Sequence, residues 1–158
     1  MKAIVFLPAI LLTISSFGQS TIDFVNPPSV STPHGYSQAA VIDLGNTRMV
    51  IISGQVALDA KGNLVGKGDL EKQTEQVFTN IKNIVEETGG TMDNIVKLGY
   101  FTTDVSKIQA VRTVRDKFIN TQKPPTSTLL QVSKLFRDDI LIEIEATAIV
   151  PGKIIPAK

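Results

Sequence analysis

"LIEIEATAIV", residues Leu141 to Val150, alternates apolar and acidic residues and then becomes wholly apolar. An alternation with a period of two predicts a β-strand, with Ile142, Ile144 and Ala146 on one face. Glu143 and Glu145 then share the other face. The pattern alone leaves open whether both carboxylates only face solvent or whether one of them transfers protons at a site.

Two helices are predicted upstream of this strand. The first runs from about Leu70 to Thr88, with acidic residues at its start and Gly89 just past its end. Ser106 and Gln109 form a sequence-level capping box that opens the second helix. Each helix has an apolar stripe close to the 3.6-residue period. The stripes consist of Leu70, Val77, Phe78, Ile81, Ile84 and Val85, and of Ile108, Val111, Val114 and Phe118.

The remaining β-branched and apolar runs predict the other strands. "QAAVIDLG" and "RMVIISGQV" are joined by the short connection "GNT", and later strands are predicted near Met92–Thr103, Ser127–Val132 and Ile140–Val150. The order β-β-α-β-α-β-β predicts an α+β fold, a two-layer α/β sandwich with both helices on one face of a mixed sheet. The other face is expected to be buried against copies of the same chain.

Composition excludes several classes of function. The 158 residues suit one domain, and 16 basic residues nearly balance 15 acidic ones without a basic run. A nucleic-acid-binding stripe is therefore not expected. The absence of cysteine rules out thiol nucleophiles, disulfides and thiolate metal sites.

The N-terminus resembles a secretory signal peptide. Residues 1–18 combine Lys2, an apolar run of about 12 residues and small residues before Gln19, whereas a membrane-spanning helix needs about 20. We therefore expect cleavage near Gly18, a periplasmic or secreted protein and no membrane association after cleavage. Residues 19–34 are predicted to be an extended arm or linker, 35–152 the domain, and 153–158 a C-terminal tail.

Common catalytic sets are missing from the sequence. His34 is the single histidine, which excludes a multi-histidine metal site and favours a surface loop residue. Asp116, Asp138 and Asp139 are better explained by solvated turns than by a cation site, so no metal is expected. Three strand-end segments remain unusual, because small, hydroxyl and amide residues suit a site built on backbone N–H donors: "GYSQA", "SGQV" and "IEIEA".

Taken together, these segments resemble the Rid family, also known as RidA, YjgF or L-PSP proteins. The similarity lies in "HGYSQAAVIDLGNTRMVIISGQV", in "QTEQVFTNIKNIVEETGGTMDNIVKLGYFTTDV" and in the closing "IEIEATAIV", and it covers about residues 35–150. It implies a chorismate-mutase-like homotrimer with small-molecule sites in the clefts between subunits. It also implies hydrolysis of enamines or imines to keto products and ammonia, without a cofactor.

The resemblance also implies roles for individual residues. Tyr36 is expected to close over the substrate, Gly54 to offer backbone contacts, and Glu143 to position or activate the attacking water. Glu145 is expected to be a surface or barrel-rim residue. Nucleic acid is not an expected partner, despite the ribonuclease label that the family carries.

One departure from the family pattern alters the expected substrate. Ser127 stands where active imine deaminases carry an arginine that grips the substrate carboxylate, and we expect Ser127 and Leu129 to line the substrate site. A serine hydroxyl cannot replace charge-assisted bonds of roughly 1.5–3 kcal/mol each. Lys134 or Arg137 are alternative sources of positive charge, although each is better explained as a turn residue.

Two functional hypotheses follow from these residues. The first is a Rid-type hydrolase that acts on a small enamine or imine with an altered substrate. The alternative is a non-catalytic, small-molecule-binding trimer, which Ser127 favours and which Tyr36, Gly54 and Glu143 disfavour. A purely structural protein would leave the cleft motifs unexplained.

Overall fold

A computed structural model describes residues 21–152 as a mixed six-stranded sheet with two helices packed on one face. The strands are β1 (Ile22–Val25), β2 (Ala39–Asp43), β3 (Thr47–Gln55), β4 (Ile95–Thr102), β5 (Thr126–Gln131) and β6 (Ile142–Pro151), and the helices are α1 (Leu70–Glu87) and α2 (Ile108–Arg115). The order across the sheet is β1-β2-β3-β6-β4-β5. The predicted α+β sandwich is therefore confirmed.

The opening stretch of the sequence becomes the strand β6 near the centre of the sheet. It pairs antiparallel with β3 on one side and with β4 on the other. Its alternate residues Ile142, Ile144 and Ala146 are buried towards the helices, as the period of two predicted. β4 and β5 are parallel, and α2 lies in the crossover between them because parallel neighbours cannot be joined by a tight turn.

The helices complete the core through the predicted apolar stripes. Val77, Phe78, Ile81 and Ile84 of α1 are fully buried against the sheet. The Phe78 ring stacks on Phe118, with centroids 5.3 Å apart. This layer holds one face of the sheet rigidly, so the residues of the opposite face are positioned by a packed scaffold.

Local differences from the prediction have identifiable causes. β1 lies within the predicted arm, where it adds an edge strand to β2, a pairing that short-range periodicity does not reveal. The predicted capping box of Ser106 and Gln109 is wrong. Asp104 instead accepts hydrogen bonds from the Ser106 backbone and side chain, which starts a short 3₁₀ turn before α2. The predicted signal peptide and C-terminal tail lie outside the described residues.

The sheet face opposite the helices exposes apolar side chains in the single chain. Ile51 on β3 and Leu130 on β5 are 45% and 50% exposed, and their strand partners Thr147 and Phe101 lie on the same face. Burial of this face in a homotrimer stays a prediction.

Candidate active site

Glu143 lies on the face of the sheet opposite the helices, beside an irregularity in β3. The pairing of β3 with β6 shifts register between Ile52 and Gln55, which leaves one extra residue on β3 at Ser53–Gly54. Such bulges re-aim side chains near functional sites. The Glu143 carboxylate occupies the space that a side chain at Gly54 would need, so any Cβ there would overlap it. Position 54 therefore requires glycine, because the Glu143 carboxylate lies too close to leave room for any side chain.

Tyr36 reaches the same place from a loop that buried amides hold. Gln55 donates from Nε2 to the Gln38 Oε1 at 2.7 Å, and Gln38 donates to the Ser31 carbonyl at 2.7 Å. Both glutamines are almost completely buried. Buried polar groups that satisfy one another fix a conformation, because breaking one bond leaves its partner without a substitute. The loop before β2 is thereby fastened to the end of β3.

Two polar residues of α1 hold the other walls of the site. Asn80 donates to the carbonyls of Val56 and Leu58 at 3.1 and 3.0 Å. Gln73 donates to the Asp139 carbonyl and accepts from the Leu141 backbone N–H, each at 2.8 Å. These contacts explain why α1 carries buried polar residues on its core-facing side.

These elements enclose a cavity of about 770 Å³, which we term the Glu143 cavity. Tyr36, Gly54 and Glu143, three of the predicted site residues, line it together. Sequence reasoning missed three further residues of the lining: His34, Lys61 and Phe136. Phe136 is 67% exposed in the structure, and an aromatic residue within the polar turn segment "KLFRDD" was the sequence signal that could have identified it.

The Glu143 carboxylate is chemically available. It makes no salt bridge and accepts no side-chain hydrogen bond from any residue between 21 and 152. Burial raises the pKa of Glu143, and the charge of Glu145 adds to the effect. Glu145 itself is exposed and lies over Gly99, where an added Cβ would come within 2.6 Å of its Oε1. A half-buried carboxylate with a raised pKa holds a proton more readily than an exposed one, which suits a group that accepts and returns a proton.

Ser127 and Leu129 do not line the Glu143 cavity of this chain. Their strand partners on β4 are the buried residues Leu98 and Tyr100, so they face the helix side of the sheet, whereas Glu143 pairs with Phe101 on the other side. The expected grouping of these two residues with Glu143 is therefore not formed within one subunit. Their role in substrate binding stays a prediction, since the expected cleft lies between subunits.

The two alternative cations do not reach the Glu143 cavity either. Arg137 forms a two-pronged ion pair with Asp139, with bonds of 2.9 and 2.7 Å. This pair lowers the pKa of Asp139 through its hydrogen bonds to Arg137. Lys134 is exposed and is absent from the cavity lining. Their interpretation as turn residues agrees with this geometry.

No group of three or more histidine or acidic side chains between residues 21 and 152 is arranged to hold a metal ion. Within the same range, no helix has the length and apolar character needed to cross a bilayer.

Comparison with known proteins connects this architecture to a family. The sequence pattern of the endoribonuclease L-PSP family matches residues 28–150. A RutC family protein of Pyrococcus abyssi is 34% identical over 113 residues, which cover 72% of this chain and 84% of that protein. The 2-iminobutanoate/2-iminopropanoate deaminase of Dermatophagoides farinae is 31% identical over 80% of this chain and 94% of its own length.

A solved structure agrees with the sequence comparison. The crystal structure of Escherichia coli TdcF with bound serine superposes with a TM-score of 0.70 at 28% identity, covering 82% of this chain and 99% of that one. The resemblance read from "GYSQA", "SGQV" and "IEIEA" is thereby confirmed by independent comparisons of sequence and fold. The chain belongs to the endoribonuclease L-PSP family, the group also known as the Rid family.

Proposed function

We propose that this protein hydrolyses a small enamine or imine of the 2-imino acid type to a keto product and ammonia. The single observation that carries the proposal is Glu143, an unpaired, half-buried carboxylate packed over Gly54 in a cavity of about 770 Å³. The cavity volume falls within the usual range of small-molecule sites, about 300–1,000 Å³.

The proposed reaction needs little more than a positioned water and a proton acceptor. The oxygen of the water attacks the carbon of the protonated imine, and Glu143 accepts a proton from the water. The resulting carbinolamine has a C–OH and a C–NH₂ group on one carbon. Glu143 returns the proton to the nitrogen, the C–N bond breaks and ammonia leaves. The hydroxyl proton passes to the Glu143 carboxylate as the carbonyl forms, and from there to the released ammonia or to solvent. One carboxylate can therefore serve both halves of the reaction.

Relatives support the substrate class. The Dermatophagoides farinae relative is named 2-iminobutanoate/2-iminopropanoate deaminase, and E. coli TdcF was solved with serine bound. The named substrates of the first protein and the ligand of the second are small molecules of the amino-acid type. The endoribonuclease description of the family is a weaker guide to the substrate here, because a net charge of +1 without a basic run offers little to hold a polyanion.

A non-catalytic, ligand-binding function is the second candidate. The observation that favours it is Ser127, a neutral residue at the position where the resemblance expects an arginine. In that case the cavity would bind a small molecule without turnover.

The assembly and location are further parts of the proposal. We propose a homotrimer in which the exposed Ile51 and Leu130 become buried and the Ser127 side of one subunit approaches the Glu143 cavity of the next. Native mass spectrometry of the purified protein tests the mass of three copies. We also propose that residues 1–18 export the chain and are removed, which N-terminal sequencing of the protein recovered from its host tests.

Ammonia release from 2-aminoacrylate, generated in the assay, tests the proposed chemistry. We expect turnover above the uncatalysed hydrolysis and a loss of about 10²–10⁴-fold in Glu143→Gln, since a general base contributes that much. Glu145→Gln is the matched control and should keep turnover, because Glu145 lies over β4, away from Gly54. Full activity of Glu143→Gln would contradict the proposed mechanism. No turnover by the unmodified protein, together with saturable ligand binding, would favour the second candidate.

A further inference from the structure

A second, smaller cavity lies on the helix side of the sheet, between α2 and β5. Its volume is about 60 Å³, and we term it the α2 cavity. A single water needs only about 10–15 Å³ measured in this way, so the cavity has room for a carboxylate group. Its lining includes Tyr100, Arg112, Arg115, Ser127 and Leu129.

The two arginines give the α2 cavity an excess of positive charge. Arg115 forms an ion pair with Asp116 at 2.7 Å, which offsets one guanidinium. Arg112 makes no salt bridge and no side-chain hydrogen bond with any residue between 21 and 152. The Asp116 carboxylate is not part of the lining. One guanidinium beside the cavity is therefore left without a counter-charge.

Tyr100 provides an independent indication of a ligand. Only 5% of Tyr100 is exposed, and its hydroxyl proton has no acceptor within hydrogen-bond geometry among residues 21–152. Burial raises the pKa of this hydroxyl to about 12, whereas the charge of the Arg115 guanidinium and its hydrogen-bonding approach to the hydroxyl oxygen act in the opposite direction. The hydroxyl is therefore a neutral donor. A buried polar group without a partner is costly and calls for an explanation such as a bound ligand.

We propose that the α2 cavity binds the carboxylate of a small monocarboxylic acid, with Arg112 and Arg115 as cations and the hydroxyls of Tyr100 and Ser127 as neutral donors. A carboxylate offers about four acceptor sites on two oxygens, which matches these donors. Guanidinium groups bind carboxylates with planar, paired hydrogen bonds. The positive charge expected on β5 is supplied by the neighbouring helix instead. This binding does not require turnover at Glu143, so it can be tested without an enzymatic assay.

Isothermal titration calorimetry with propionate tests the proposal directly. We expect saturable binding of propionate and binding of uncharged propionamide that is weaker by tenfold or more, because loss of one charge-assisted hydrogen bond corresponds to about that factor. Sodium chloride at equal ionic strength controls for screening. Equal binding of propionate and propionamide would overturn the proposal.

Substitutions locate the binding. Arg112→Gln should raise the dissociation constant for propionate about tenfold, while Lys117→Gln, the same loss of charge at an exposed position outside the lining, should leave it unchanged. Binding that is as tight in Arg112→Gln as in the unmodified protein would contradict the assignment.

Tyr100→Phe gives a readout that a purely structural role would not produce. Removing the unpaired hydroxyl should raise the melting temperature of the protein without ligand, and it should reduce the further rise that propionate causes. An unchanged propionate-induced rise would exclude the hydroxyl as a donor to the anion.

Discussion

The Glu143 cavity and the α2 cavity lie on opposite faces of one sheet and differ in the charges that line them: one carboxylate and one lysine in the first, two arginines in the second. In the first, an unpaired carboxylate lies over Gly54, and its only lysine or arginine neighbour in the lining is Lys61. In the second, Arg112 and Arg115 surround a buried tyrosine hydroxyl, and no acidic residue is part of the lining. A carboxylate substrate attacked by a water at Glu143 would use features of both. Within one chain they are separated by the thickness of the sheet.

The difference also concerns how each cavity is held together. Satisfied, buried amides fix the Glu143 cavity: Gln38 and Gln55 at one wall, Asn80 and Gln73 at others. The α2 cavity has a buried hydroxyl whose proton finds no acceptor among residues 21–152. The first is therefore built before any ligand arrives, whereas the second gains hydrogen bonds when an anion binds.

The largest expected effect comes from Gly54, the glycine beneath Glu143. Gly54→Ala forces the Glu143 carboxylate out of its place and should reduce turnover about 10²–10⁴-fold, the contribution of a positioned general base. Gly99→Ala displaces the Glu145 carboxylate in the same way and serves as the matched control. Ammonia release measures both variants. A comparable loss in Gly99→Ala would remove the distinction between the two glutamates.

Breaking the amide network that fixes the Glu143 cavity should lower the stability of the protein. Gln55→Leu removes the donor to Gln38 Oε1 and leaves a buried acceptor unpaired, which should lower the free energy of unfolding by about 1–3 kcal/mol. Urea unfolding measures this loss. Gln131→Leu is the control, because Gln131 is exposed and water can replace its bond to the Val105 N–H. A similar loss in both variants would contradict a special role for the buried pair.

Restoring the arginine that the resemblance expects should strengthen the α2 cavity as an anion site. Ser127→Arg adds a third guanidinium, so we expect about tenfold tighter binding of propionate and a lower melting temperature without ligand, because like charges repel. Calorimetry and thermal unfolding measure the two effects. Thr128→Arg is the matched control, since its strand partner Gly99 places it on the opposite face. Unchanged affinity in Ser127→Arg would place the anion elsewhere.

The smallest expected effects concern pH. Burial, and then the charge of Glu145, raise the pKa of Glu143 above its ordinary value of 4.5. Turnover needs the ionised form, so its acidic limb should lie above pH 4.5, and Glu145→Gln should move that limb to lower pH. A pH profile of ammonia release measures the displacement. An acidic limb that Glu145→Gln leaves in place would remove Glu145 as a cause.

The raised pKa of Glu143 also predicts how the stability of the protein depends on pH. A group whose pKa is higher in the folded chain contributes stability below its unfolded pKa, and this contribution is lost as pH rises through the folded pKa. Glu143→Gln lacks that loss. The free energy of unfolding of the variant should therefore increase relative to that of the unmodified protein as pH rises through the folded pKa of Glu143. Denaturant unfolding at several pH values measures this difference. A difference that stays constant with pH would contradict the raised pKa.

Much of the fold was predictable because it depends on short-range periodicity. The alternation in "IEIEATAIV" and the apolar stripe of α1 predicted a strand and a helix and the buried face of each, and Tyr36, Gly54 and Glu143, which the resemblance named, line one cavity. β1 and the start of α2 were missed. β1 is short and pairs across a turn-rich loop, and the Asp104 cap competes locally with the predicted Ser106 cap.

The sequence by itself determined the family, the two-layer fold and the identity of the available carboxylate, because these depend on residue type and order along the chain. Only the tertiary structure decided that Ser127 faces α2 while Glu143 faces the open side, since this depends on the register with which β5 and β6 pair with β4. It also decided that Arg112 and Arg115 share a cavity with the unpaired Tyr100 hydroxyl. A one-residue change of register exchanges the two faces of a strand, and β5, with the sequence TSTLLQ, has no apolar–polar alternation that reveals its register.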